Sequence, residues 1–291
     1  MVGIMGWPVE HTLSPRMHNA AFEALGLNYA YVPLPVAPDR VQDAIRGLAA
    51  LGFVGANVTV PHKSAILPYL DELSPVARAI GAVNTLVVRP DGTTLVGDNT
   101  DAYGFMMDLA EAGWSAGSPS GCRALVIGAG GAARAVTYGL LEGGAAVAVA
   151  NRSFEKAVEL CKAIGGALKS ADPAAPARLS AHRFPEELAA LAPGADLIVN
   201  ATRLGLHPGD DPLPWDPAVP FRSGQMVYDL VPVARPAGQT PFLVLAASSG
   251  ARVRGGLGML VHQGARAFEM WTGVRAPVEL MREALGQEQG T

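Results

Sequence analysis

A short, mostly apolar segment, Arg123-Ala124-Leu125-Val126-Ile127, runs directly into Gly128-Ala129-Gly130-Gly131-Ala132-Ala133 and then into Arg134 to Leu141, where apolar residues recur at helical spacing. Strand, glycine turn and helix in immediate succession make the opening of a βαβ nucleotide-binding unit. In this GxGxxA pattern the first glycine, Gly128, allows a tight turn, and Gly130 lets the backbone approach a pyrophosphate. The small Ala133 lets helix and strand pack closely. Backbone N–H groups at the helix start, those of Gly130, Gly131 and Ala132, then face phosphate oxygens. The segment predicts a dinucleotide site on a parallel sheet.

The end of the next strand selects between cofactors. Ala145 to Ala150 reads as that strand, and an NAD site would place Asp or Glu at its end, about 20 residues past the glycines, to hold the ribose 2′-hydroxyl. The residues here are Asn151-Arg152-Ser153. With a guanidinium in place of a carboxylate, charge-assisted hydrogen bonds to a 2′-phosphate become available. The expected cofactor is NADP.

Length and composition bound the rest. A chain of 291 residues exceeds the usual single-domain size, so two domains are expected. It is 49% hydrophobic and 16% charged, with mean hydropathy +0.23. No apolar run reaches membrane-spanning length, and the amino end lacks the basic flank and apolar stretch of a signal peptide. A cytoplasmic protein without a membrane partner is expected. The net charge of −4 argues against nucleic acid, because neutralising phosphates needs a basic face. Cys122 and Cys161 lack metal-ligand spacing and the six histidines form no HExxH cluster, so no metal is expected.

Helix-like and strand-like segments alternate from the amino end, which predicts α/β. Residues 14 to 26 read as a helix with Ser14 as N-cap and Pro15 in the first position. Tyr29 to Leu34 reads as a strand, Pro38 to Leu51 as a helix and Val54 to Val60 as a strand. Thr85 to Arg89 and Thr94 to Gly97 form a hairpin about the turn Pro90-Asp91-Gly92. Linker-like composition from Gly113 to Gly121 precedes the nucleotide-binding strand.

Polar residues in the first hundred positions carry a second chemistry. Of 22 basic residues only Lys63, Lys156, Lys162 and Lys169 are lysines, and Lys63 is alone in the first 155 residues. An ammonium can surrender its proton where a guanidinium does not, so a lysine can serve as general acid or base. Lys63 closes Gly55-Ala56-Asn57-Val58-Thr59-Val60-Pro61-His62-Lys63. Before it stands Gly6-Trp7-Pro8-Val9-Glu10-His11-Thr12-Leu13-Ser14-Pro15-Arg16-Met17-His18-Asn19. After it come Gly81-Ala82-Val83-Asn84-Thr85, Gly97-Asp98-Asn99-Thr100-Asp101-Ala102-Tyr103-Gly104-Phe105 and Gly256-Leu257-Gly258-Met259-Leu260-Val261-His262-Gln263, with Trp271-Thr272-Gly273 beyond.

In this order and spacing the segments resemble the shikimate dehydrogenase family, and the resemblance spans nearly the whole chain. It implies an amino-terminal α/β substrate domain, residues 1–101, to which residues 256–291 return as carboxy-terminal helices. Residues 102–255 would form a Rossmann-type, doubly wound NADP domain, with the active site in the cleft between the two. The implied reaction is the reversible, NADP-dependent reduction of 3-dehydroshikimate to shikimate by a monomer or homodimer. Lys63 and Asp101 match the family's catalytic pair. By the same resemblance Thr12 and Ser14 would hold the substrate carboxylate, and Asn57, Asn84 and Gln263 its ring hydroxyls, with Thr59 in support. Thr202 and Met259 would line the cofactor, beside the glycine turn and Asn151-Arg152-Ser153.

The chain departs from the family pattern at two places. Thr12 stands where many relatives have serine, which adds a methyl group. Pro232, in Asp229-Leu230-Val231-Pro232, replaces a tyrosine that usually reaches the substrate side, and strand alternation points the neighbouring Tyr228 elsewhere. A dual shikimate/quinate dehydrogenase and a non-catalytic ligand sensor of the same fold remain open at this point. Retention of both Lys63 and Asp101 disfavours the sensor. A related Rossmann enzyme of folate or tetrapyrrole metabolism would have no use for the Asn57, Asn84 and Gln263 shell.

Overall fold

Five residues at the amino end, Val2–Gly6, form strand β1, which is buried along its whole length between two neighbours. The computed structural model describes residues 1–114, 121–205, 213–232 and 239–286. The stretch from Gly113 to Gly121 therefore falls largely outside the described residues, as do His207 and the segment 233–238. The chain divides into two compact units, Met1–Gly104 with Leu260–Thr291, and Phe105–Met259.

In the first unit β1 is followed by α1 (Ser14–Ala24), β2 (Tyr31–Pro35), α2 (Val41–Ala50), β3 (Gly55–Val58), β4 (Glu72–Leu73), α3 (Pro75–Ile80), β5 (Thr85–Val88) and β6 (Leu95–Asp98). Helix α4 (Asp101–Glu111) then leads into the second unit. The strands form one sheet in the order β2-β1-β3-β5-β6-β4. The hairpin makes it mixed: β5 runs antiparallel to both β3 and β6, whereas β1 is parallel to β2 and β3. Val41, Ile45 and Leu48 of α2 pack with Met5, Ala56, Val58 and Leu86 of the sheet, and each apolar side chain so buried contributes about 1.5–3 kcal/mol.

The expectation for the start of α1 needs correction. Leu13 occupies the N-cap position with backbone angles already helical, and Ser14 is the first helical residue. Its hydroxyl is engaged by Thr12 rather than by a helix N–H. The same preference for local caps is met elsewhere, where the Ser74 hydroxyl accepts from the Ala77 N–H at 3.0 Å ahead of Pro75.

The second unit contains β7 (Arg123–Ile127), α5 (Gly131–Glu142), β8 (Ala146–Asn151), α6 (Phe154–Leu168), β9 (Leu179–Arg183), α7 (Leu188–Leu191), β10 (Leu197–Asn200), β11 (Met226–Asp229), α8 (Pro241–Ser248) and β12 (Arg252–Gly255). Helices α9 (Leu257–Thr272) and α10 (Val278–Gly286) end the described chain. All six strands are parallel, in the order β9-β8-β7-β10-β11-β12. That is the Rossmann order 3-2-1-4-5-6, whose direction reverses between β7 and β10. Leu125, Ile127, Ile198, Val227, Phe221 and Phe242 make its core, with Trp215 stacked on Phe221. Among the described residues no helix is long and apolar enough to cross a membrane.

Candidate active site

The register of the first sheet lines up the polar residues. Asn57 of β3 lies opposite Thr85 of β5, and Thr85 lies opposite Asp98 of β6. Asn84 just before β5, and Asn99-Thr100-Asp101 just after β6, are thereby carried to the same end of the sheet. Lys63 is tethered there by its own carbonyl, which accepts from the Val83 N–H at 2.8 Å. Its ammonium Nζ donates to Asp101 Oδ2 at 2.6 Å, with the lysine side chain 15% and the aspartate 5% exposed.

Asn84 binds this ion pair to the rest of the cluster. Its Nδ2 lies 2.9 Å from Asp101 Oδ1, 3.0 Å from Thr100 Oγ1 and 3.2 Å from Gln263 Oε1. Its Oδ1 accepts from the Thr100 N–H at 2.7 Å and the Thr85 hydroxyl at 3.0 Å. Asn99 Oδ1 accepts from the Asp101 N–H at 3.1 Å. The Asp101 carboxylate bridges Lys63 and Asn84 and so orients those two side chains. Gln263, on α9, is fixed by donating from Nε2 to the Leu260 carbonyl at 2.9 Å.

A second set of hydrogen bonds surrounds Asn57. Asn57 Nδ2 donates to the Asn84 carbonyl at 3.1 Å and to Thr85 Oγ1 at 3.2 Å. Asn57 Oδ1 accepts from the Tyr31 hydroxyl at 2.8 Å. Asn57, Asn84, Asp101, Lys63 and Gln263 therefore form one connected polar cluster, whereas Thr12 and Ser14 form a hydroxyl pair of their own, with Thr12 Oγ1 donating to Ser14 Oγ at 3.3 Å. Thr59 is half-buried beside it, but among the described residues its hydroxyl makes no hydrogen bond, and its methyl lies against Gly6.

Tyr31, Thr85, Asn99 and Thr100 belong to this cluster and were not singled out by the sequence. Two of the flanking histidines are structural. His62 is buried, with Nε2 2.7 Å from the Val36 carbonyl. His18 is fully buried among Phe22, Tyr31, Phe268 and Trp271, stacked on Tyr31 at 4.4 Å. Burial in this aromatic setting pushes its imidazole down to about 3, so it stays neutral near pH 7.

The second unit presents the glycine turn at its topological switch point. Gly128 has φ +119°, in the left-handed region that favours glycine, and a Cβ there would approach the Ala201 carbonyl oxygen to 3.0 Å. Gly130 is extended as the N-cap of α5, and a Cβ there would meet nothing within 4 Å. The turn thus offers open space in front of the first N–H groups of α5, which have no partners within the helix. Thr202 sits against this turn by its methyl group, while its N–H and hydroxyl donate to Asn200 Oδ1 at 3.0 and 2.7 Å. Asn200 Nδ2 in turn donates to the buried Asp229 Oδ1 at 3.0 Å. Burial raises the Asp229 carboxyl above its ordinary range, opposed by the Thr240, Val231 and Asn200 donors.

At the end of β8, Asn151 Nδ2 donates to the Ser153 carbonyl at 2.9 Å, and Arg152 and Ser153 are exposed. Arg152 has no ion pair among the described residues. A group with two phosphates and a further 2′-phosphate fits this donor set: an unobstructed turn, unpaired helix N–H groups and an uncommitted guanidinium.

Tyr228 does point away from any role of that kind. It is fully buried and donates to Asp108 Oδ2 at 2.5 Å. Arg254 completes the cluster, with Nε and Nη2 on the same carboxylate at 3.1 and 2.5 Å. Met259, at the start of α9, is itself buried.

Three family models match successive parts of the chain. The shikimate dehydrogenase substrate binding domain matches residues 4–86, shikimate / quinate 5-dehydrogenase matches residues 108–203, and the shikimate 5′-dehydrogenase C-terminal domain matches residues 256–285. The shikimate dehydrogenase (NADP⁺) of Moorella thermoacetica is 47% identical over 295 residues, covering 100% of this chain and 95% of that protein. The chain belongs to the shikimate dehydrogenase family. The shikimate dehydrogenase (NADP⁺) of Geobacter sulfurreducens is 48% identical over 287 residues, covering 98% of this chain and 95% of that one. Among solved structures, the shikimate 5-dehydrogenase of Thermus thermophilus in complex with NADP(H) and shikimate superposes with a TM-score of 0.80 at 38% identity, over 98% of this chain and 97% of that one.

Proposed function

We propose that the protein interconverts shikimate and 3-dehydroshikimate as an NADP-dependent dehydrogenase of the cytoplasm, with Lys63 and Asp101 as the proton-handling pair. The observation that carries this reading is the Lys63–Asp101 ion pair embedded in a shell of amides and hydroxyls. When bound, NADP takes up or returns the hydride. The remaining chemistry is proton transfer at the oxygen that alternates between hydroxyl and carbonyl. On oxidation the neutral amine of Lys63 accepts that proton and becomes the ammonium that Asp101 holds, and on reduction the ammonium returns it. Asn57, Asn84 and Gln263 hold the other ring hydroxyls, Thr12 and Ser14 the carboxylate, and Thr59 shapes the wall beside them.

For the cofactor, the Gly128–Ala132 turn holds the pyrophosphate and Asn151-Arg152-Ser153 the ribose 2′-phosphate, with Thr202 and Met259 lining the site. Charge-assisted hydrogen bonds from Arg152 contribute on the order of 1.5–3 kcal/mol, equivalent to about 10- to 100-fold in NADP preference. Arg152→Ala is expected to raise the NADP Michaelis constant by that factor and to leave the NAD constant alone. An equal loss with NAD would make Arg152 structural.

Initial rates with shikimate and quinate, each with NADP and NAD, test the assignment. Quinate carries an added hydroxyl at the carbon bearing the carboxylate, next to Thr12 and Ser14, where the Thr12 methyl group takes up room. A clash or an unpaired hydroxyl there costs about 1–3 kcal/mol, so shikimate with NADP is expected to be preferred by roughly 5- to 150-fold in kcat/KM. Equal efficiency on quinate would favour a dual-substrate enzyme, and absence of turnover with all four pairs a ligand sensor.

A further inference from the structure

We propose that Tyr31 is a positioning residue for the substrate: its hydroxyl sets which way the Asn57 amide faces. Tyr31, on the edge strand β2, shares a sheet face with Asn57 of β3, and its ring crosses β1 to reach it. The polarity of each bond in this run follows from its neighbours. The Asn84 main-chain carbonyl can only accept, so the Asn57 amide nitrogen must face it. Asn57 Oδ1 is then turned toward Tyr31 and needs a donor, which the Tyr31 hydroxyl supplies at 2.8 Å. Asn57 is left presenting the second lone pair of Oδ1 as an acceptor to a ring hydroxyl.

The ring itself has little freedom. Its backbone is bracketed by one side chain, Asn19, whose Oδ1 accepts from the Tyr31 N–H at 2.8 Å and whose Nδ2 donates to the Tyr31 carbonyl at 3.0 Å. His18 lies on its face at an interplanar angle of 3°, and among the described residues both His18 ring nitrogens lack a hydrogen-bond partner. His18 therefore serves the tyrosine as a flat packing surface. Two adjacent residues of α1 thus immobilise one phenol, which touches Asn57 of the proposed substrate shell.

This inference rests on the reading of Asn57 as a substrate-holding residue, and the tests separate the two. Tyr31→Phe removes only the hydroxyl. The expected result is a shikimate KM raised about 5- to 10-fold, as for one lost neutral hydrogen bond, with kcat within about twofold and the NADP KM unchanged. His18→Phe keeps a ring against Tyr31 and is expected to leave the shikimate KM within about twofold. Asn57→Ala is expected to raise it at least as far as Tyr31→Phe does. A wild-type shikimate KM in Tyr31→Phe alongside a raised one in Asn57→Ala would overturn the positioning role alone. An unchanged KM in Asn57→Ala would overturn the substrate-shell reading and the inference with it. Loss of kcat at unchanged KM in Tyr31→Phe, or a KM rise in His18→Phe as large as in Tyr31→Phe, would assign the tyrosine to packing and overturn the inference.

Discussion

Lys63→Ala is expected to lower kcat by about 10²- to 10⁴-fold in initial-rate assays, while the shikimate KM moves much less. The asymmetry follows from what the ammonium does. Binding of the substrate is spread over amides and hydroxyls that remain in place, whereas proton transfer has one group assigned to it. Lys63→Arg is not expected to restore turnover, because it retains the charge without the exchangeable proton and cannot reproduce a single 2.6 Å contact to Asp101 Oδ2 with a planar fork. Asp101→Ala should also impair turnover. Asp101 is 4% exposed and bridges Lys63 to Asn84, so its removal misplaces both partners. The double variant should be little worse than the poorer single one, since the two side chains act as a unit. Near-normal turnover in Lys63→Ala would remove the lysine from the mechanism.

The parts of this architecture that were legible in sequence are those whose determinants are local. The Gly128 turn is one: strand, glycines and helix are contiguous, and the left-handed φ of Gly128 and the open space at Gly130 follow from residues within a single turn. Strand β1 is the opposite case. Val2–Gly6 is buried on both faces, so it shows no alternation, and it becomes a strand only because β2 and β3 flank it. Tyr31 was readable as a strand residue, but its bond to Asn57 spans 26 positions and exists only once β1 lies between them. Thr85 and Thr100 meet at 3.1 Å through the hairpin register, which no single segment encodes. At Ser14 the local signal misled. A serine ahead of Pro-Arg-Met has the form of an N-cap, yet the helix starts one residue early with Leu13 at the N-cap position, and the Thr12 hydroxyl claims the Ser14 oxygen.

Asp108→Ala is expected to destabilise the second unit by about 3–5 kcal/mol, the range for removing one partner of a buried ion pair. Asp108 has no exposed surface, and three donor atoms depend on it: two nitrogens of Arg254 and the Tyr228 hydroxyl oxygen. Its loss strands the phenol in the core and leaves the guanidinium without its carboxylate. Arg254, one-third exposed and also 3.4 Å from Glu111, can turn partly to water, which places the effect toward the lower end of the range. In calorimetry this corresponds to a melting point lowered by roughly 6–20 °C, at about 2–4 °C per kcal/mol for a unit of this size. Asp108→Asn keeps an acceptor for Tyr228 but loses the charge facing Arg254, so an intermediate drop is expected. Asp108 also packs against Gly258, the neighbour of Met259, which we propose lines the cofactor. The NADP KM should therefore rise in Asp108→Ala at temperatures where the protein is still folded, with the Lys63–Asp101 pair untouched and the shikimate KM unchanged. Tyr228 is fully committed to this cluster, which is why it does not stand in for the tyrosine that Pro232 replaces. A melting point within about 2 °C of wild type would mean that Arg254 and Tyr228 are satisfied without the carboxylate, and that the ion pair adds nothing net to the fold.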